Sequence, residues 1–168
     1  TRLVVIDPVY NASASKADWW VPIKAGTDGA LALGVLNVLL ENGWIDDETL
    51  RAKTNCGLLI KEDGTFLRMS ELGVEPTEGD PDPLTGKPAV AFSETAAPAL
   101  TGVPDINGVK VQTVYENAKG YIAQYPPTVA AAVCGLTEDH VRELARIYHE
   151  DGPVTTEIMM GMNHYRNG

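Results

Sequence analysis

Only two cysteines, Cys56 and Cys134, stand among the 168 residues. A pair cannot make a disulfide framework or a four-cysteine cluster site, so both are expected as buried free thiols. Cations are also scarce: 13 Lys and Arg face 23 Asp and Glu, a net charge of −10. Nucleic acid and anionic membrane both demand a basic face, and neither is expected as a partner. Long apolar runs are missing too. The most apolar stretch, residues 30–40, contains Gly34 and Asn37 and is about half the twenty residues a spanning helix needs, which argues against direct membrane insertion. No basic and apolar leader opens the chain. What is present is ordinary globular material, 44% hydrophobic and 21% charged, too apolar for disorder. Its length suits about one domain, able to bury roughly 70% of its unfolded surface. The chain begins at Thr1 with strand-like text and ends on the turn chemistry of Asn167-Gly168, so it reads as a piece of a longer protein.

Residues 2–6 form an apolar run ended by Asp7-Pro8, the pattern of a strand covered on both faces. Residues 11–18 are small and polar, a loop or one helical turn. A second extended segment covers 19–24, where Pro22 cannot donate to a ladder and marks an edge or an irregular extension. Gly26-Thr27-Asp28 opens a helix to about residue 42. Thr27 suits the N-cap, Asp28 complements the positive helix end and Gly43 suits the stop. From Ala30 to Leu40 this helix has almost no polar face and must be covered on several sides. A short helix capped at Asp46 or Asp47 runs to about Lys53. Segments 58–61 and 65–68 flank Glu62-Asp63-Gly64, whose Asp-Gly marks a tight hairpin. Residues 73–87, rich in Gly, Pro and acids, make an exposed excursion ended by a short strand at 89–92. Residues 95–107 are loop-like, and 108–113 read as a strand. Helices follow at 114–124, at 126–133 with Pro127 in the first turn, and from Thr137 to about Glu150. A strand at 153–159 and a final loop complete the chain. One α/β domain with a β-hairpin insert is the economical arrangement.

The standard phosphate cradles and the Gly-x-Ser-x-Gly elbow are absent. His140, His149 and His164 show no metal spacing, and the first two are expected to be solvated on their helix. Three loops remain. Asp7, followed by the fixed turn of Pro8, either caps its own turn or offers two acceptors to the donor edge of guanine or to a ribose diol. Gly26-Thr27-Asp28 is either a plain helix cap or a place where a ligand approaches the backbone at a positive helix end, with Asp28 on a purine. The loop Gly161-Met162-Asn163-His164-Tyr165-Arg166-Asn167-Gly168 is either a polar interdomain loop or a donor set for a pterin or pyrophosphate. Trp19-Trp20 and Met159-Met160 read as packing.

Together these segments resemble one family. Val5-Ile6-Asp7-Pro8-Val9-Tyr10, residues 14–20, and Val21-Pro22-Ile23-Lys24-Ala25-Gly26-Thr27-Asp28-Gly29-Ala30-Leu31-Ala32-Leu33-Gly34 resemble the molybdopterin oxidoreductases of the dimethyl sulfoxide reductase family. There a strand ending in Asp-Pro leads to an Ala-Asp-x-Trp segment and then to a Gly-Thr-Asp-x-Ala-Leu-Ala-Leu-Gly helix start. Residues 136–146 are similar to the helix before that domain's last strand, and 161–168 to the loop after it. Leu67-Arg68-Met69-Ser70-Glu71-Leu72 is similar to the polysulfide reductase, thiosulfate reductase and transhydroxylase branch. The chain departs from the pattern at Val9, where many members have Arg, and at Lys24-Ala25, where many have Arg-Pro.

The resemblance implies a large catalytic subunit carrying molybdenum or tungsten on two pyranopterin guanine dinucleotides. It implies a three-layer αβα Rossmann-like α/β domain with a mainly parallel sheet and a β-hairpin and loop insertion around residues 58–108. In domain terms, 1–168 is then a single molybdopterin guanine dinucleotide-binding domain with 56–108 set into it. Asp7, Pro8, Gly26, Thr27 and Asp28 would hold the guanosine part of one cofactor. Gly161, Asn163 and His164 would approach its pterin end. The iron–sulfur cysteines and the metal ligand lie outside the segment, which is expected to be inactive and without cofactor in isolation. Its implied partners are an iron–sulfur electron-transfer subunit and the remaining domains of the same catalytic subunit. The rival class is a non-catalytic α/β binding or interaction module without nucleotide.

Overall fold

The computed structural model describes residues 1–73, 77–81, 88–91 and 98–158. In chain order its elements are β1 (Val4–Ile6), β2 (Trp19–Val21), α1 (Asp28–Glu41), α2 (Asp47–Lys53), β3 (Leu59–Lys61), β4 (Thr77–Pro81), β5 (Pro88–Ala91), β6 (Asp105–Ile106), β7 (Val109–Thr113), α3 (Val114–Ile122), α4 (Pro127–Cys134) and α5 (Glu138–Glu150). The chain is α/β, as expected. β1 and β2 pair in parallel, while β3–β7, β6–β7 and β4–β5 are antiparallel. It divides into two compact units: Thr1–Ile45 with the stretch from Lys119 onward, and Asp46–Ala118.

In the first unit β1 lies beside β2 with Val4 opposite Trp19 and Ile6 opposite Val21. Helices α1, α4 and α5 pack on one another. Their facing residues, among them Val35, Val38, Ala130, Cys134, Val141 and Leu144, form the core with Val21 and Ile23. Each fully buried aliphatic side chain of this kind contributes about 1.5–3 kcal/mol. α1 approaches α4 closely because Gly34 carries no side chain: a Cβ there would fall 2.4 Å from Ala130 Cβ and 3.2 Å from Val141 Cγ1. Asn37 is the polar member of this buried face. Its Nδ2 donates to the carbonyl of Ile122 at 3.2 Å, and its Oδ1 has no partner among the described residues.

Local chemistry sets the helix ends. Beyond α1, Gly43 takes a left-handed φ of +67°, and the Trp44 N–H returns to Leu39 O at 2.8 Å. Pro127 opens α4, where its missing N–H costs nothing, and left-handed Gly135 ends it. Thr137 and His140 form a reciprocal capping box at the start of α5. Of the two histidines of α5, His149 is exposed as expected from the sequence, whereas His140 is half-buried, and both rings lie on indoles. The His140 ring stacks on Trp19, with centroids 5.8 Å apart. His149 lies flat on Trp44 at 4.4 Å. The rings sit at the two ends of a helix whose apolar stripe is buried, and each covers a half-buried indole. Residues 153–158 form no strand; β1 has its ladder with β2, and among the described residues no other strand meets it.

In the second unit the Asp46 carboxylate caps α2, accepting from the Thr49 N–H at 3.0 Å and its hydroxyl at 2.7 Å. The turn Glu62-Asp63-Gly64 forms as expected, with Gly64 at φ +81° and Asp63 Oδ1 accepting from Thr65 N at 2.9 Å. Its far arm is not a strand. It makes a single bridge, Ile60 to Phe66, because Arg68 N donates to Glu71 Oε2 at 2.8 Å and bends the chain into a 3-10 turn at Met69–Leu72. β3 pairs instead with the distant β7. The expected loop before residue 108 contains β6, which joins β7 through left-handed Asn107 and Gly108. Buried residues here include Leu100, Val111, Thr113 and Tyr115. Thr113 Oγ1 donates to Leu100 O at 2.5 Å. Cys56 is only half-buried, against expectation, whereas Cys134 in the first unit is fully buried; both are free. Residues 74–76, 82–87 and 92–97 fall outside the described residues.

Candidate functional site

β1 ends one residue before Asp7, and α1 begins at Asp28. Both corners open on a cleft of about 720 Å³ in the first unit. Asp7 and Pro8 stand on its wall from one corner, Gly26 and Asp28 from the other, with Ala32 and Leu36 of α1 and Tyr148 of α5 completing an apolar side. Thus four residues singled out in the sequence come together. Thr27 lies between two of them without forming part of the wall. Gly161, Asn163 and His164 fall outside the described residues, as do Met159 and Met160.

The Asp7 carboxylate is oriented by the turn that follows it. Its Oδ1 accepts from Val9 N at 2.7 Å and its Oδ2 from Asn11 Nδ2 at 2.9 Å. The carbonyl of the same residue accepts from Trp20 Nε1 at 2.9 Å, and Trp20 meets Tyr10 edge-on. Among the described residues each carboxylate oxygen therefore has one partner and keeps a second lone pair. Turn-capping and ligand acceptance are compatible at this residue.

The Asp28 corner is built differently. Gly26 is buried at φ +76°, where a side chain would be strained. Thr27 occupies the N-cap position, but its hydroxyl makes no capping bond to α1; it donates backwards to Lys24 O at 2.6 Å and closes the turn. The capping role expected of that side chain is thereby corrected. The first N–H groups of α1 gain no side-chain cap from Thr27. Asp28 has no hydrogen bond or ion pair among the described residues. Behind the turn, burial pushes the Cys134 thiol up from its ordinary range, and the charge of Asp28 acts in the same direction.

The carboxylates on the wall are Asp7, Asp28 and Glu157, and no Lys or Arg joins them among the described residues. Such a wall accepts hydrogen bonds and repels anions, which suits a neutral, donor-rich group better than a bare phosphate. Among the described residues no cluster of three His, Cys, Asp or Glu is placed to hold a metal. No helix among them is long and apolar enough to cross a membrane. Sequence reasoning missed Leu36, Tyr148, Thr156 and Glu157 as wall residues. The apolar excess of α1 was the available signal, since a helix greasy all round has one face left over for a cleft.

No family model matches the chain. It is 34% identical over 172 residues to a Halobacterium salinarum protein provisionally named as the catalytic subunit of a dimethyl sulfoxide reductase, covering 99% of this chain and 20% of that one. It is 35% identical over 166 residues to a sulfite dehydrogenase subunit of Allochromatium vinosum, covering 90% and 16%. The chain belongs to the molybdopterin oxidoreductases of the dimethyl sulfoxide reductase family. It spans about a fifth of the length of these curated relatives. Among solved structures, acetylene hydratase from Pelobacter acetylenicus shares the fold, with a TM-score of 0.55 and 19% identity over 95% of this chain and 14% of that one. Both corners of the cleft fall in the segments, 5–10 and 21–34, that carry the resemblance to the dimethyl sulfoxide reductase family.

Proposed function

We propose that this chain is a nucleotide-holding domain of a molybdenum or tungsten oxidoreductase, binding the guanosine part of one molybdopterin guanine dinucleotide. In this reading residues 1–168 form one binding domain, with 56–108 set into it. The observation that carries it is the convergence of Asp7 and Asp28 on one cleft whose wall, among the described residues, holds acids and no cation. Guanine presents adjacent N1–H and 2-amino donors, and one carboxylate accepts both. Asp28, without another partner among the described residues, is the acceptor for the base. Asp7, held by Val9 and Asn11, offers its remaining lone pairs to the base or a ribose diol. Gly26 lets the ligand approach the backbone beside Thr27, and Gly161, Asn163 and His164 are proposed as contacts for the pterin end. The cleft volume falls within the roughly 300–1,000 Å³ of small-molecule sites.

When bound, the cofactor's metal supplies two-electron redox chemistry. The residues of this chain bind and orient the nucleotide end, and the apolar side of the cleft excludes water from it. Turnover belongs to the whole protein. Relatives are named as catalytic or alpha subunits, and the partners of this domain are an iron–sulfur electron-transfer subunit and the rest of its own polypeptide. The test is the GMP released by acid hydrolysis of the full-length enzyme. With two dinucleotides per enzyme and one held here, Asp28→Ala is expected to remove half or more of the GMP. Unchanged GMP content overturns the reading in favour of a module that binds no nucleotide.

A further inference from the structure

We infer that the C-terminal end of α4 positions the Asp28 corner, with the Cys134 thiol as its acting group; this rests on the reading of Asp28 as the acceptor for the base. The turn before α1 is held from behind by a single residue of α4. Lys24 N donates to the Cys134 carbonyl at 2.8 Å, and Cys134 Sγ donates to the Thr27 carbonyl at 3.4 Å. Between these two anchors the Thr27 hydroxyl closes the turn onto Lys24 O. The same Thr27 carbonyl accepts the first helical bond of α1, from Leu31 N at 3.1 Å. The thiol therefore acts on the peptide group that joins Thr27 to Asp28.

Cys134 is fully buried and is not on the cleft wall, so it acts on a ligand through Asp28 and does not touch it. With its ionisation pushed up by burial, the sulfur keeps its proton and remains a donor. α4 itself is fixed by the core, where Ala130 and Ala131 are buried beside α1, and a Cβ added at Gly135 would meet Lys24 Cβ at 3.8 Å. A rigid helix thus sets the direction of a turn that has no capping side chain of its own. A hydrogen bond contributes about 1 kcal/mol net, which is about fivefold in affinity.

The discriminating readout is base preference, because a purely structural role for Cys134 would lower stability and leave that preference alone. In cofactor-free full-length enzyme, the ratio of GMP to AMP affinity is expected to fall about fivefold in Cys134→Val, which fills the space without a donor. Cys134→Ser, which restores a donor, returns the ratio to within about twofold of wild type. An unchanged ratio in Cys134→Val overturns the inference, as does a Cys134→Ser variant no better than valine. Should valine prevent folding, Cys134→Ala against Cys134→Ser reads the same ratio. Asp28→Asn separates the two claims. If it abolishes base preference while Cys134→Val does not, only the positioning role fails. If Asp28→Asn leaves the preference intact, the acceptor reading itself fails.

Discussion

The two units of this chain are held together by different means. In the first, three helices bury a continuous apolar core against Val21 and Ile23, and the cleft is carved into the side of that core. In the second, the described residues bury few side chains and rely on capping and turn bonds: Asp46 on Thr49, Asp63 on Thr65, Glu116 on Gly102 and Thr113, and the Lys61–Glu71 ion pair at 2.7 Å. Exposed polar bonds of this kind contribute little each, because water competes for every partner. A binding corner needs groups held to within a fraction of an ångström. The unit with the apolar core is the one that carries the cleft of Asp7 and Asp28, where the proposed binding would need that precision.

That contrast can be broken or sharpened by mutation and by acid. The largest effect is expected from Leu144→Ala, which empties a site only 3% exposed between α5 and α1 and should cost about 3 kcal/mol in urea unfolding. Leu100→Ala, equally buried in the second unit, should sit near the low end of that range, about 2 kcal/mol, because a loosely filled site collapses more easily. Equal costs would erase the distinction. Next comes Gly34→Ala. Its new methyl meets Ala130 Cβ, which cannot move without α4, so overpacking should outweigh the helix-propensity gain of about 1 kcal/mol and leave a net loss of about 2. A neutral or stabilised variant would show that the helices can separate. Thr137→Ala removes the capping box of α5 and should cost about 1 kcal/mol, seen as faster amide exchange in the first turn of that helix.

The smallest effect concerns acid. Asp46 is held below the ordinary carboxylate range by the Thr49 N–H, Asp63 by the Thr65 hydroxyl, and Glu71 by the Lys61 ammonium. Their native values lie below the unfolded ones, so the unfolded chain takes up protons first. The stabilisation is complete above the ordinary carboxylate range, near pH 4, and disappears as pH falls through the lowered native values. In the first unit Glu143 has the same property, through Arg146. Between about pH 4.5 and 3, amide protection in α2 and the Asp63 turn should therefore fall before protection in α1 and α4. The reverse order would show that the second unit owes more to its apolar contacts than to its polar bonds.

Local signals in the sequence were legible and distant ones were not. Asp46, Gly43, Gly64 and Pro127 announce a cap, a stop, a turn and a start because each acts on bonds within a few residues. The Asp-Pro and Gly-Thr-Asp corners were equally plain, and the structure brings both to one cleft. Asn107-Gly108 is an equally local hairpin signal that is easily missed, because strands as short as β6 leave no alternation to flank it. Other features depend on what arrives from elsewhere in the chain. β3 is adjacent to a turn that invites a hairpin, yet its partner is β7, some fifty residues on. The Thr27 hydroxyl suited the N-cap by type, yet it donates back to Lys24 O, in a turn whose backbone is bonded to the end of α4. The fates of His140 and His149 depend on Trp19 and Trp44, which no helical periodicity could supply.

The amide of Asn37, joined to the carbonyl of Ile122, has a consequence for how this chain can change. It stitches the last part of the sequence back onto α1 directly after the excursion of residues 46–118 has ended. With that seam inside the helical core, the closing cost of whatever lies between grows only slowly with its length. Descendants of this chain are therefore free to lengthen, trim or replace the intervening stretch while the Asp28 corner keeps its shape, and length variation should accumulate there first.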